Sequence, residues 1–91
     1  MSKAPSFQLF VTGRSEQSRQ AIDSLRQICE QHLLGRCDVH IIDLLKEPEW
    51  IQRDGILATP LLIRTNPQPP CRVLGDFTDL ASLMLALGYA D

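Results

Sequence analysis

Two short apolar runs in the first half of the chain flank a longer stretch with a helical pattern. The runs at residues 7–12 and 39–44 are rich in strand-forming residues and predict two strands. The apolar residues between them recur at three- and four-residue steps: Ile22, Leu25, Ile28, Cys29 and Leu33. Ser15 is the predicted N-cap of this helix, and Gly35 is its predicted end. Two strands joined by one helix indicate a βαβ unit with a right-handed crossover.

Prolines and glycines divide the second half of the chain into shorter elements. Pro48 predicts the first turn of a short helix that closes at Gly55. Residues 61–63 and 72–74 have the composition of strands. The segment 66–70, Asn-Pro-Gln-Pro-Pro, can be neither helix nor central strand, so it predicts the turn of a hairpin.

A final amphipathic helix closes the pattern. Its apolar residues follow helical spacing: Leu80, Leu83, Met84 and Leu87. Asp76 or Thr78 is the predicted N-cap, and Gly88 is the predicted end. The order of a βαβ unit, a short helix, a hairpin and a helix predicts an α/β fold of the thioredoxin-like type, βαβαββα, in one domain over residues 1–91.

Composition and charge narrow the class of protein. Of the 91 residues, 44% are hydrophobic and 22% are charged, which is typical of one soluble globular domain. The net charge of −2 and the scattered Lys and Arg residues argue against nucleic acid as a partner. No apolar run approaches the ~20 residues of a membrane span, and the N-terminus lacks the pattern of a secretory signal. We therefore expect a cytoplasmic protein with no membrane contact.

The cysteines and the start of the first helix argue against catalysis. Cys29, Cys37 and Cys71 form neither a CxxC motif nor a metal-ligand pair, so we expect core and strand-edge residues rather than a disulfide or zinc site. Thioredoxin-like enzymes place a nucleophilic cysteine where the first helix begins. Residues 13–16 contain none. Ser15 there is either a helix cap or a thiolate-stabilising hydroxyl of the glutathione-transferase type. We predict no enzyme activity, no metal and no cofactor.

Several segments resemble the KaiB family in register. They are Phe-Val-Thr-Gly at 10–13, followed by Ser18, Ile-Asp-Leu-Leu-Lys-Glu-Pro at 42–48, Ile-Leu-Ala-Thr-Pro at 56–60 and Arg-Val-Leu-Gly-Asp at 72–76. The segment 56–60 is the most specific match. The resemblance runs from about residue 7 to residue 85 and covers nearly the whole chain.

The resemblance implies a regulatory binding protein without enzymatic activity. KaiB proteins bind the N-terminal ATPase ring of KaiC, a RecA-like hexamer, and regulate its phosphorylation cycle in circadian timing. Family members switch between a tetrameric ground state with a rearranged second half and a monomeric, thioredoxin-like state that binds KaiC. The sensor domain of the histidine kinase SasA is similar. Three alternatives stay open: a standalone sensor module for a SasA- or CikA-like kinase, a timing or stress-response role, and a thioredoxin-like redox protein.

Four residues are the candidates for partner contact. Lys46, Arg64 and Arg72, together with Arg53, could form a loose positive surface for an acidic partner face. Trp50 is either a core residue or an exposed docking aromatic. Asp38 and His40 replace small and basic residues on the strand edge that binds KaiA in the family, which places KaiA outside the expected partners.

A second set of residues is expected to determine which fold the chain adopts. We expect Thr59 and Pro60 to be joined by a cis bond at the entry to the third strand. Clock-type members carry Gly-Leu-Asp where this chain has Ala86-Leu87-Gly88, and glycine inside a helix costs about 1 kcal/mol relative to alanine. We therefore expect the thioredoxin-like state, with self-association as monomer, dimer or tetramer left open. The complete set is Thr59, Pro60, Gly75, Asp76, Ala86 and Gly88.

Overall fold

Four strands form one sheet in the part of the chain that the computed structural model describes, residues 4–75 and 77–89. The strands lie in the order β2-β1-β3-β4. β1 pairs in parallel with β2 and antiparallel with β3, and β3 and β4 form the predicted antiparallel hairpin. The strands are β1 (Ser6–Val11), β2 (Asp38–Asp43), β3 (Leu61–Asn66) and β4 (Cys71–Leu74).

Within the described ranges, three α-helices accompany the sheet, and the first continues into a π-helical turn. The helices are α1 (Glu16–Gln27), α2 (Glu49–Asp54) and α3 (Leu80–Leu87), and the π turn is Ile28–His32. Ser15 caps α1 as predicted, because its side chain accepts a hydrogen bond from the Ser18 amide. Gly35 ends the helical segment as predicted, with φ of 72° and its amide bonded to the Cys29 carbonyl. The π turn was not predicted.

The N-cap of α3 differs from the prediction. Asp79, rather than Asp76 or Thr78, caps this helix, since its carboxylate accepts hydrogen bonds from the Ser82 amide at 3.2 Å and the Ser82 hydroxyl at 2.7 Å. Asp79 directly precedes Leu80, the first helical residue, and so can reach the amide three positions on. Asp76 lies outside the described residues. Gly88 ends the helix as predicted, with φ of 82°.

The expectation of unpaired cysteines is wrong for two of the three. Cys29 and Cys37 form a disulfide, with their Cα atoms 6.1 Å apart. The π turn places Cys29 at the end of the helical segment, and the chain then turns back to begin β2 directly after Cys37. This return brings the two Cα atoms within the span that a disulfide requires. Cys71 is free and begins β4.

Side chains alternate between the two faces of the sheet, so each strand contributes to two cores. One core lies on the face covered by α1 and α3, which we call the α1–α3 face, and the other lies on the α2 face. The first contains Phe7, Leu9, Val11, Ala21, Leu25, Ile28, Cys29, Leu62, Phe77, Leu83 and Leu87. The second contains Phe10, Ile42, Leu44, Ile56, Leu61 and Ile63.

The bond between Thr59 and Pro60 is cis, as predicted. None of the helices in the described ranges has the length and hydropathy of a membrane span.

Candidate partner-binding surface

Large apolar side chains remain exposed beside α2. Leu57 is 98% exposed, Leu45 69%, Leu74 58% and Ile51 41%. Leu45, Ile51 and Leu57 line one shallow groove, and Leu57, Arg72 and Leu74 line the next. Contiguous exposed apolar residues on a small protein mark interaction sites more often than isolated ones do. We call the set made of Leu45, Lys46, Ile51, Leu57, Arg72 and Leu74 the α2 surface.

The shortness of α2 explains why these residues stay uncovered. The helix begins after Pro48 and ends at Gly55, whose φ of 64° suits glycine, so it has six residues. None of its side chains is fully buried. Its main anchor is Trp50, half-buried with its ring centroid 5.7 Å from that of Phe10. One turn and a half of helix cannot cover the apolar face of a four-stranded sheet.

Trp50, which the sequence left open between core residue and docking aromatic, is half-buried. Its ring packs on Phe10, and the His40 ring lies nearly perpendicular to it with the two ring centroids 6.2 Å apart. The Arg53 guanidinium lies 4.5 Å above the ring, a cation–π contact. Trp50 therefore supports the α2 surface from beneath and is not itself its most exposed part.

The loop after α2 holds Leu57 outward. Ile56 is 5% exposed and fills the core of the α2 face, and its amide bonds to the Ile51 carbonyl at 3.0 Å. At the other end of the loop, the hydroxyls of Thr12 and Thr59 are 2.6 Å apart. The loop is thus fixed on both sides of Leu57, whose side chain is 98% exposed.

Cationic side chains flank the apolar part of the surface. Lys46 follows Leu45, and the Arg72 guanidinium donates to the Asp54 carbonyl at 3.0 Å while lining the groove beside Leu57. Asp43 fixes the backbone before Lys46 by accepting from the amides of Gly13 and Leu45 at 3.0 and 2.9 Å. These two bonds, and then the charge of Lys46, hold the pKa of Asp43 below its ordinary value. The surface therefore presents leucines between positive charges.

Arg64 lies apart from the other three candidate contacts. It points to the α1–α3 face, where its guanidinium donates to the Leu87 carbonyl at 2.6 Å and the Pro69 carbonyl at 3.3 Å. Burial raises the pKa of the nearby Tyr89 phenol, an effect that the charge of Arg64 partly offsets. Arg64 therefore joins α3 to the hairpin turn, whereas Trp50 lies in α2 and Arg72 bonds to the carbonyl of Asp54 at the end of that helix.

The residues expected to determine the fold lie where the second half of the chain closes. The amide of Gly75, with φ of 114°, donates to the Pro60 carbonyl at 3.2 Å. Ala86 lies in α3 with its carbonyl near the Cys71 sulfur, and Gly88 occupies the left-handed end of that helix. An alanine inside the helix and a glycine at its end are the residue types that this backbone favours.

The start of α1 lacks the chemistry of a redox site. Ser15 acts as the helix cap, and its hydroxyl donates to that of Ser18 at 2.8 Å. The disulfide lies at the opposite end of this helix. Within residues 4–75 and 77–89, no group of three or more His, Cys, Asp or Glu side chains could hold a metal ion.

Sequence reasoning missed the leucines of the α2 surface. It identified the segment 56–60 as the most specific motif but assigned no contact to Leu57. A signal was present, since Ile56 and Leu57 are adjacent and consecutive residues of an extended segment point to opposite sides. One of the two had to face away from the core.

Comparisons with known proteins show which proteins this chain is similar to. Two curated relatives are each 37% identical to this chain over 79 residues, which is 87% of its length. One is the circadian clock protein KaiB3 of Synechocystis sp., of which 78% is covered. The other is the circadian clock oscillator protein KaiB of Prochlorococcus marinus, of which 75% is covered.

Solved structures with the same fold include a clock-related domain and a thioredoxin. The N-terminal domain of Synechococcus elongatus SasA superposes with a TM-score of 0.74 at 21% identity, covering 97% of this chain and 87% of that one. Chloroplastic thioredoxin z superposes with a TM-score of 0.75 at 20% identity, covering 94% and 77%. These likenesses confirm the predicted thioredoxin-like fold. Because the family model of the KaiB domain also matches residues 8–88, this chain belongs to the KaiB family.

Proposed function

We propose that this chain is a non-enzymatic regulatory protein that docks through its α2 surface on the ATPase ring of a KaiC-like protein and modulates its phosphorylation cycle. The observation that carries the proposal is Leu57, 98% exposed on an anchored loop of a KaiB-family protein. Relatives named as circadian clock proteins support a timing role. We place this activity in the cytoplasm.

The chemistry of the α2 surface specifies the partner face. Burying an exposed leucine contributes roughly 1.5–3 kcal/mol, and Leu45, Leu57 and Leu74 are the side chains with most area left to bury. Lys46 and Arg72 beside them favour an acidic rim around an apolar pocket. Charges at a rim steer association more than they add affinity, so the leucines are expected to dominate the binding free energy.

A binding experiment with matched variants tests the proposal. The full chain is incubated for hours with its cognate KaiC-like ATPase and analysed by size-exclusion chromatography, together with Leu57→Ser and Leu85→Ser. Leu85 is the matched control, because it is 66% exposed but belongs to α3. We expect wild type and Leu85→Ser to bind alike and Leu57→Ser to bind about tenfold or more weakly, a loss of about 1.4 kcal/mol. Failure of the wild type to form any complex would count against the proposal.

We also propose that the thioredoxin-like state is the resting state of this member. Ala86 within α3 and Gly88 at its left-handed end favour the closing helix. Two folds of one sequence differ by only a few kcal/mol, so such local preferences are large enough to decide between them. A monomer in solution is the expected oligomeric state, and a tetramer with a rearranged second half would contradict this part of the proposal.

A standalone sensor module that binds a signalling kinase is the second candidate. Its support is the fold shared with the SasA N-terminal domain over 97% of this chain. Competition separates the two candidates. A docking protein of the first kind displaces a SasA N-terminal domain from the ATPase ring, whereas a module that binds the kinase itself leaves that complex intact.

A further inference from the structure

The disulfide between Cys29 and Cys37 closes the connection from α1 to β2. Cys29 lies on the π turn and is 7% exposed, while Cys37 is half-buried and directly precedes β2. The two are separated by eight positions in sequence, so the bond fixes a short segment and no distant part of the chain. Cys29 therefore belongs to the core, whereas Cys37 is less deeply buried.

The backbone inside this segment departs from regular structure. The α-helix widens to a π turn after Gln27, and Leu34 has φ of 56°, a left-handed conformation that is unfavourable for a residue with a side chain. Leu34 is also 76% exposed, so no packing compensates for this conformation. We therefore expect residues 28–36 to relax toward more favourable backbone conformations once the disulfide is reduced.

The surroundings of the disulfide allow exchange with a small thiol. The bond lines a groove of about 440 Å³ beside the free edge of β2, together with Arg26 and Glu30. Arg36 and Asp38 flank Cys37 in sequence. Cys37 is the less buried of the two cysteines, so its sulfur is the expected point of attack.

We propose that Cys29 and Cys37 form a thiol–disulfide switch that locks the α1–β2 connection when oxidised and releases it when reduced. The oxidant is a low-molecular-weight disulfide such as oxidised glutathione. The Cys37 thiolate attacks one glutathione sulfur and expels a glutathione thiolate, which leaves a mixed disulfide on Cys37. The Cys29 thiolate then attacks the Cys37 sulfur and expels the second glutathione. The two cysteine thiols lose two electrons and two protons, and one glutathione disulfide becomes two glutathione thiols.

The rest of the fold does not depend on the cross-link. β2 is held by six residue pairs with β1, from Ser6–Asp38 to Val11–Asp43. Leu25 and Ile28 anchor the helical segment in the core at 2% and 0% exposure. Reduction therefore loosens residues 29–37 beside exposed Val39 and Ile41 without opening the sheet.

Redox titration tests whether the pair is a switch. The full chain carrying Cys71→Ser, which removes the free thiol, is equilibrated with mixtures of reduced and oxidised glutathione, and the remaining thiols are trapped and counted by mass spectrometry. We expect the fully oxidised and fully reduced forms to interconvert across these mixtures. A pair that stays oxidised in excess reduced glutathione is a structural bond, and a pair that never oxidises is no bond at all, so either result overturns the proposal.

Hydrogen exchange tests the structural consequence. In the oxidised chain the amides of Leu33, Gly35 and Arg36 donate to the carbonyls of Ile28, Cys29 and Leu33. On reduction we expect these amides to exchange at least tenfold faster, with β1 and β3 unchanged. The double variant Cys29→Ser with Cys37→Ser should match the reduced chain in either buffer. If it fails to fold, the reduced wild type decides the question. Equal exchange in both forms, or loss of protection across the whole sheet, would contradict the proposal. The chain alone suffices, so the outcome is independent of the proposed partner.

Discussion

Helices cover the two faces of the sheet to different extents. Among the described residues, the core on the α1–α3 face contains eleven buried residues, and six of them belong to α1, the π turn and α3 themselves. The core on the α2 face contains six, and α2, a helix of six residues, contributes none of them. Because its core contains more buried side chains, we expect the first face to contribute more to the stability of the fold. The second leaves Leu45, Ile51, Leu57 and Leu74 exposed, which suits a surface that is completed by a partner.

The largest expected effect on stability comes from shortening a buried side chain in the core of the α1–α3 face. Leu87 is 0% exposed in α3, so Leu87→Ala should lower the free energy of unfolding by about 2–5 kcal/mol through lost burial and a residual cavity. The matched variant Ile51→Ala, at a residue 41% exposed in α2, should cost less than about 1 kcal/mol. Urea unfolding followed by circular dichroism measures both. Similar losses in the free energy of unfolding for the two variants would contradict the proposed difference between the faces.

A smaller effect is expected from weakening α3 without touching the core. Ala86→Gly combined with Gly88→Asp should destabilise the thioredoxin-like state by about 2 kcal/mol, since it adds a glycine to the helix and places a side chain at φ of 82°. Ala86→Ser should have a fraction of this effect because serine has intermediate helix propensity. Size-exclusion chromatography reports any shift from monomer to tetramer. An unchanged unfolding midpoint in the double variant would show that these positions do not determine the fold.

Local sequence signals predicted most of the fold, because the residues that begin and end each helix, strand or turn lie within or next to that element. Ser15 and Gly35 mark the ends of the first helical segment, and the prolines at 67–70 allow only a turn. The disulfide was missed because spacing along the chain does not report the π turn that brings Cys29 back toward Cys37. The helix cap was missed because three candidate residues precede the last helix.

The candidate site was less predictable because it depends on which side chains remain uncovered. Charge alone grouped Arg64 with Lys46 and Arg72, whereas strand alternation puts Arg64 on the α1–α3 face. Exposure of Leu57 follows from the shortness of α2, which is a tertiary property. The positions of apolar residues in the sequence do not show which of their side chains remain exposed in the folded chain.

The smallest expected effect concerns the rim of the α2 surface at low pH. The pKa of Asp43 in the folded chain lies below the ordinary value of 3.8, because the amides of Gly13 and Leu45 stabilise its carboxylate. This contribution to stability is therefore fully present above that ordinary value, and it is lost as the pH falls through the lowered folded pKa. Urea midpoints measured across acidic pH should fall less for Asp43→Asn than for wild type. Asp23→Asn, at an exposed residue of α1, is the control and should follow wild type.

The contrast between the two faces is tested most directly by mapping the contact itself. Amide chemical shifts of the full, isotope-labelled chain are recorded with and without the N-terminal ATPase domain of its KaiC-like partner. We predict the largest changes at residues 45–58 and 72–74, with Leu83, Leu85 and Leu87 of α3 unchanged. Changes centred on α1 and α3 with an undisturbed α2 surface would contradict the account.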